Sequence, residues 1–313
     1  MGNLSHREAY GRAIAEYGEL NPNVVVVDVD TSASTQSNFF AERFPERFLN
    51  VGIAEPCMVD VGAGLALSGK IPFLTGFAAL LSLRAIEQVR TCICYANLNV
   101  KLAAPYAGLS DYKDGPTHHS ILDISIMRSL PNMTVIVPAD DTEIAKWIPV
   151  MAEHVGPMYL RLSRAATLSV HDESVEVSVG KGMTLRDGDD VTLIAAGAMV
   201  GRCMLAAEKL EKKGLSTRVL NMPCVKPLDD ELVLKAAKET GAIVTAEENT
   251  IIGGLGGAVA ELLGEEHPTP MKRIGIKDTF ALTAPDPESL MDAFGMSVED
   301  IVAAAEAVLK KKE

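Results

Sequence analysis

The order of this chain predicts an α/β protein built from two doubly wound α/β domains, and three observations carry that prediction. Short, nearly uninterrupted apolar runs recur along the sequence, the mark of strands buried on both faces of a parallel sheet. Amphipathic segments of helical length separate them, so strands alternate with crossover helices. The alternation stops once, in a polar stretch after Arg164 that carries three glycines, and then resumes.

Each element has its own reason. Ser5-His6-Arg7-Glu8 has the S-x-x-E form of a capping box, and Ala9, Ala13, Ile14 and Tyr17 follow at helical spacing. Asn21-Pro22-Asn23 stops that helix, and residues 24–29 (VVVVDV) form the first strand. Phe48-Leu49-Asn50-Val51 predicts a second buried strand that ends at Glu55. Pro56 suits the first helical turn, where its missing N–H would have no partner. The helix it opens, residues 56–67, is rich in Gly and Ala and lets another backbone or a ligand come close. Within it, Cys57 is expected to be a small buried group in helix packing. Further strands fall at residues 71–75, 100–104, 133–137 and 158–162, with amphipathic segments at 83–95 and 140–152.

Residues 167–190 predict an extended connection with short β-hairpin character. That gives a first domain over residues 1–166, a linker over 167–190 and a second domain over 191–313. In the second domain, strands are expected at 191–196, 217–220, 243–246 and 272–276, and helices near 200–212, 229–239, 255–263 and 298–309.

Composition narrows the function classes. At 48% hydrophobic and 23% charged residues, the chain has the make-up of an ordinary globular protein, and 313 residues allow two separate cores. A net charge of −13 argues against nucleic acid or an anionic membrane as partner, because both need a basic surface. No apolar run approaches the roughly 20 residues of a membrane span, and no charged-then-apolar leader opens the chain, so a cytoplasmic location is expected. Five cysteines without a CxxC pair fit reduced thiols better than a disulfide framework.

The chemistry-bearing strings are few. Val51-Gly52-Ile53-Ala54-Glu55 sets one carboxylate at a helix start, which by itself could be a charge facing the helix dipole. Asp111-Tyr112-Lys113-Asp114-Gly115-Pro116-Thr117-His118-His119 is a polar loop between the strand at 100–104 and a helix beginning near Ile121. Loops leaving the carboxyl ends of strands are where open α/β sheets build sites. Together with Tyr159-Leu160-Arg161-Leu162-Ser163-Arg164 and Glu247-Glu248-Asn249-Thr250, continuing to Gly256, these four ordered motifs resemble the transketolase family of thiamine-diphosphate enzymes.

That resemblance implies roles residue by residue. The coenzyme performs the carbonyl chemistry, and the protein gives its aminopyrimidine N1′ a carboxyl group. Glu55 is assigned that catalytic and cofactor-binding role. Phe77, Leu80 and Leu83 correspond to the aminopyrimidine pocket. Two of the three are aliphatic where relatives carry aromatics, leaving dispersion without stacking. Asp114 and His118 match residues lining the substrate channel, His118 nearest the reacting carbon. An unpaired buried sugar hydroxyl would cost about 1–3 kcal/mol. His119 stands where many relatives carry Gln, and Tyr106 where they carry another His. Arg164 corresponds to the arginine that receives a sugar phosphate, with Ser32 or Ser34 assisting. Alternation along the strand puts Arg161 in a structural place.

One family feature is missing. Single-chain members hold the diphosphate and a divalent cation with a GDG motif, and no GDG occurs here. The nearest string, Asp187-Gly188-Asp189-Asp190, falls in the linker. The expectation is therefore the C-terminal half of a split transketolase, with Mg²⁺ ligands on an N-terminal partner subunit, no metal ligands here, and an α2β2 assembly through both domains. The alternatives are a β-type subunit of a 2-oxoacid dehydrogenase E1, a deoxyxylulose-phosphate synthase-like half, or a non-catalytic scaffold of this fold. The Gly253-Gly254-Leu255-Gly256-Gly257 run is read as helix packing rather than a phosphate loop.

Overall fold

A computed structural model describes residues 3–312. Twelve strands form among them: β1 Val24–Asp28, β2 Phe48–Asn50, β3 Ile71–Thr75, β4 Lys101–Ala104, β5 Thr134–Ile136, β6 Met158–Arg161, β7 Met183–Arg186, β8 Val191–Ala195, β9 Thr217–Asn221, β10 Cys224–Lys226, β11 Ile243–Thr250 and β12 Met271–Ile276. They build a seven-stranded sheet in the order β10-β5-β6-β4-β3-β1-β2 and a five-stranded sheet in the order β12-β11-β8-β9-β7. Pairing is parallel throughout except at β10 against β5 and β7 against β9. The two doubly wound α/β domains expected from the strand and helix alternation are therefore present.

The apolar runs become strands because both sheet faces are covered. On one side of the first sheet, the helices His6–Leu20 and Asp141–Glu153 pack Tyr10, Ile14, Trp147 and Ile148 against Val24 and Val26. On the other, Met58 and Val59 of the helix Glu55–Leu67, with Val89 and Ile93, cover Val27, Leu74 and Leu102. The expected capping box forms only by half: the Ser5 hydroxyl accepts from the Glu8 N–H, while the Glu8 carboxylate pairs with Arg12; Asp140 caps its own helix by accepting from the Glu143 N–H.

Several expectations need correction. The strand at Phe48–Asn50 is not buried: it is a three-residue edge strand paired only with β1, and Leu49 is 40% exposed. Glu55 consequently does not end a strand but opens the following helix. Cys57 is exposed, because that helix turns Met58, Val59, Gly62 and Ala63 inward and leaves residue 57 on the opposite face. The segment at 83–95 is not one helix but short pieces ending in a π-helical turn at Val89–Cys94. Between residues 167 and 190 no self-contained hairpin forms; Met183–Arg186 instead pairs antiparallel with β9 at the edge of the second sheet.

The sheets are tied together. β10 follows β9 in the chain yet joins the first sheet, with Cys224 opposite Ile136 and Lys226 opposite Val135. A single apolar cluster runs from Val27 and Leu102 to Leu220, Met222, Leu255 and Val259, so the two units share core.

Candidate active site

The candidate residues gather where loops leave the carboxyl ends of β1, β3, β4 and β6. After β1, the buried Asp28 carboxylate accepts hydrogen bonds from the Thr31 N–H and from the hydroxyls of Thr31, Thr35 and Ser37, at 2.7–3.4 Å. This fixes the turn that carries Ser32 and Ser34. Burial raises the Asp28 pKa against those hydrogen bonds.

After β3, Phe77 stacks on Tyr106 with ring centroids 4.3 Å apart and planes inclined at 29°. His118 meets the same Phe77 edge-on at 6.3 Å. Tyr106 follows β4 in the left-handed region at φ 64°, which aims its ring across the loop. Arg7 Nη1 donates to the Tyr106 hydroxyl at 2.8 Å and to the Ser34 carbonyl at 2.9 Å, so the first helix is pinned to both loops. Arg164 lies over the Tyr106 ring at 5.2 Å and the Tyr112 ring at 5.9 Å. Its Nη1 donates to Asp111 Oδ1 at 2.9 Å.

The histidine loop divides its residues. Asp114 is exposed, His118 is half-buried with Nδ1 3.0 Å from the Thr117 hydroxyl, and His119 is buried with Nε2 3.1 Å from the Asp111 carbonyl. Burial lowers the His119 pKa, so it is a neutral ring at physiological pH. Phe77 and Arg164 thus converge on Tyr106, with His118 at the edge of Phe77 and Ser34 joined through Arg7. The Ser32 hydroxyl joins no contact of this cluster.

Glu55 stands in a different setting. Its carboxylate is buried at the first position of its helix and receives Arg84 Nη1 at 3.2 and 3.4 Å. The segments that meet at this pair leave apolar side chains in water: Ile53 is 73% exposed and Leu83 53%, while Leu80 is half-buried. A buried carboxylate paired with one half-exposed arginine, on segments that leave apolar side chains uncovered, suits one polar edge of a flat, largely apolar ring.

The second sheet braces the histidine loop. Arg161 is buried and donates to Asp123 Oδ2 at 2.9 Å, to the Ser120 carbonyl at 3.0 Å and to the Glu248 carbonyl at 2.8 Å. Glu248 Oε1 in turn accepts from the Leu109 N–H at 2.7 Å. Gly108, at φ +65°, sits so close that a Cβ would stand 2.3 Å from the Glu248 carboxyl carbon. Thr250 N–H donates to the Ile121 carbonyl and Ala284 N–H to the Tyr112 carbonyl. The loop from 107 to 121 is held from both sides of the domain boundary. A cleft of about 350 Å³ behind it, touching Ser110, Arg202, Glu248 and Asp292, includes none of Glu55, Phe77 or His118.

The glycine run is already occupied. Glu247 accepts from the N–H groups of Leu255 and Gly256 at 2.8 Å, and a Cβ on Gly254 would lie 2.0 Å from its Oε2. A buried carboxylate holds the helix N-terminus where a phosphate would otherwise sit. Among the described residues, no group of three or more His, Cys, Asp or Glu side chains is arranged to hold a metal ion.

Arg7, Asp111 and Glu248 escape assignment from sequence. Arg7 reads as part of a cap, and its partner Tyr106 lies 99 residues away. Asp111, an acid close after the apolar Leu109 in the motif loop, is the one local signal.

Comparison with known proteins decides the family. The transketolase pyrimidine-binding domain matches residues 3–168 and the transketolase C-terminal domain matches residues 180–301. The chain belongs to the transketolase family. It is 41% identical to the 6-deoxy-6-sulfo-D-fructose transketolase subunit SqwH of Clostridium sp. (strain MSTE9), over 98% of this chain and 95% of that one. A 1-deoxy-D-xylulose-5-phosphate synthase 1 of Geobacter sulfurreducens is 39% identical over 99% of this chain but only 49% of its own length. A solved split gene transketolase, described as an inactive β4 tetramer, superposes with a TM-score of 0.93 at 44% identity, covering 99% of this chain and 100% of that one. The chain is a transketolase C-terminal subunit, a transferase of a thiamine-diphosphate family. No helix among the described residues is long and apolar enough to cross a membrane.

Proposed function

We propose that this transketolase subunit moves a two-carbon ketol unit between phosphorylated or otherwise anionic sugars of the pentose-phosphate class. In this reading it does so in the cytoplasm, as half of an α2β2 enzyme with an N-terminal transketolase subunit. Thiamine diphosphate, when bound between the two chains, supplies the carbonyl chemistry. The partner would hold the diphosphate and Mg²⁺: no GDG motif occurs in this sequence, and among the described residues no His, Cys, Asp or Glu group is arranged to hold a metal ion.

Glu55 carries the reading. A buried carboxylate with exposed Ile53 and Leu83 beside it is suited to hold a proton at N1′ while a ring covers the apolar groups. Phe77, Leu80 and Leu83 would flank that ring, Phe77 kept rigid by its stack on Tyr106. His118, at the edge of Phe77, stands nearest the reacting carbon, and Asp114 accepts from a sugar hydroxyl. His119 braces that loop from inside, a substrate role reached only through Asp111. Arg164, Arg7 and the turn of Ser32 and Ser34 form the cationic end that would receive the anionic group.

A 39% identical relative supports a second reading, a deoxyxylulose-phosphate synthase-like half, which formation of 1-deoxyxylulose 5-phosphate by the two-chain complex would reveal. The primary reading is tested with Glu55→Gln in that complex. Gln keeps the size and most hydrogen bonds but cannot exchange a proton, so C2 proton exchange of bound coenzyme, followed by NMR, slows by more than about a hundredfold. Fold, assembly and coenzyme affinity change little. Exchange at the wild-type rate would reduce Glu55 to a helix-terminal charge.

A further inference from the structure

Asp111 lies between β4 and the helix Asp123–Ser129, fully buried, and its two oxygens have different surroundings. Oδ1 accepts from Arg164 Nη1 at 2.9 Å; Oδ2 is buried without any hydrogen-bond partner. A buried carboxylate oxygen left without a donor is costly unless something else answers it. Arg164 is 27% exposed at its side chain, held from behind by the Tyr106 and Tyr112 rings, so its guanidinium has one anionic partner and an open side.

We propose that Asp111 occupies the position at Arg164 that the substrate's anionic terminal group would take, so that an arriving anion competes with it and Asp111 sets which terminal groups the site accepts. The inference rests on the ketol-transfer reading for the identity of the substrate, and on the Asp111–Arg164 geometry for everything else. Two anions at one guanidinium repel, and the conflict resolves when Asp111 takes a proton or Arg164 turns away from it. The protonation route is open. Burial and the neighbouring Asp114 carboxylate push Asp111 up to about 6, against the lowering effect of Arg164 and His118. The charged and titratable groups facing it are those three together with His119, which is neutral, and Tyr112. A terminal hydroxyl would satisfy Oδ2 with Asp111 still ionised, and a monoanion displaces it at less cost than a dianion does. The site therefore penalises the second negative charge of a terminal group.

Sulfate tests this without turnover, because it is a tetrahedral dianion whose charge is constant across the working pH range. Calorimetric titration into the purified chain at pH 7 and fixed ionic strength, in two buffers of different ionisation enthalpy, gives both affinity and proton uptake. Asp111→Asn binds sulfate at least about tenfold more tightly than wild type, with less proton uptake, and the gain disappears in the double variant Asp111→Asn, Arg164→Ala. Unchanged or weaker binding by folded Asp111→Asn overturns the proposal. If circular dichroism shows that variant unfolded, Asp111→Ser takes its place: tighter sulfate binding by the folded Ser variant supports the proposal, and unchanged or weaker binding overturns it. Because sulfate binding needs neither coenzyme nor partner, a negative result leaves the transketolase reading standing, and a failed ketol-transfer assay leaves the sulfate result standing.

Discussion

Arg164 is held between the rings of Tyr106 and Tyr112, and a guanidinium preset in this way loses little entropy when it meets an anion. Arg164→Ala should therefore raise KM for anionic sugars about tenfold to a hundredfold, the effect of losing a charge-assisted hydrogen bond of about 1.5–3 kcal/mol, and leave neutral sugars nearly unchanged. Steady-state kinetics of the two-chain enzyme on matched phosphorylated and unphosphorylated acceptors checks this, and equal effects would remove Arg164 from the anion site. At this scale the sequence is legible where residues sit inside one motif or just past a readable strand: His118 and Phe77 lie within reach of each other, although distant along the chain, because each follows such a strand. The pairing of Arg164 with Asp111 is not legible. It spans 53 residues, and nothing in either local pattern says which acid a distant arginine will face.

Among the elements, β4 carries a group that folding has to pay for. Lys101 is fully buried, and its ammonium donates to the carbonyls of His154 and Gly156 at 2.7 Å, just past the end of the helix Asp141–Glu153. There it answers orphan carbonyls that no side-chain cap satisfies. Burial lowers its pKa to about 7, with no carboxylate beside it to hold the charge. The unfolded chain, with Lys near 10.4, binds more protons than the folded one between about pH 7 and 10, so this group makes stability rise with pH across that window. Thermal unfolding of Lys101→Met between pH 7.5 and 9.5 should show that rise flattened relative to wild type; an identical slope would mean the ammonium stays charged in the folded state. Element type is legible from apolar runs and caps, and it fails where tertiary pairing decides. Cys224–Lys226 is three residues with no alternation of its own, and it becomes a strand only because β5 offers an edge. Phe48–Asn50 reads as buried because three of four residues in Phe48-Leu49-Asn50-Val51 are apolar, yet sheet order puts it outermost.

At the scale of the molecule, the second domain reaches the candidate site without contributing a catalytic group to it. Glu248, Thr250 and Ala284 hold the loop from 107 to 121, so movement of one domain would be felt at His118 and Arg164. Elsewhere on the first domain, Ile53 and Leu83 stand in water on the segments that carry the buried Glu55–Arg84 pair, and the chain offers no metal cluster among its described residues. The absent GDG motif makes the missing half legible in the sequence, whereas the choice of sugars depends on a surface shared between two chains. The central claim is that half a site lies here and the other half on an N-terminal transketolase subunit. The direct test is a ketol-transfer assay with thiamine diphosphate and Mg²⁺ on this chain alone, the partner alone and the two mixed. The account predicts turnover only in the mixture, abolished by Glu55→Gln; turnover by this chain alone, or a mixture as inactive as its parts, would contradict it.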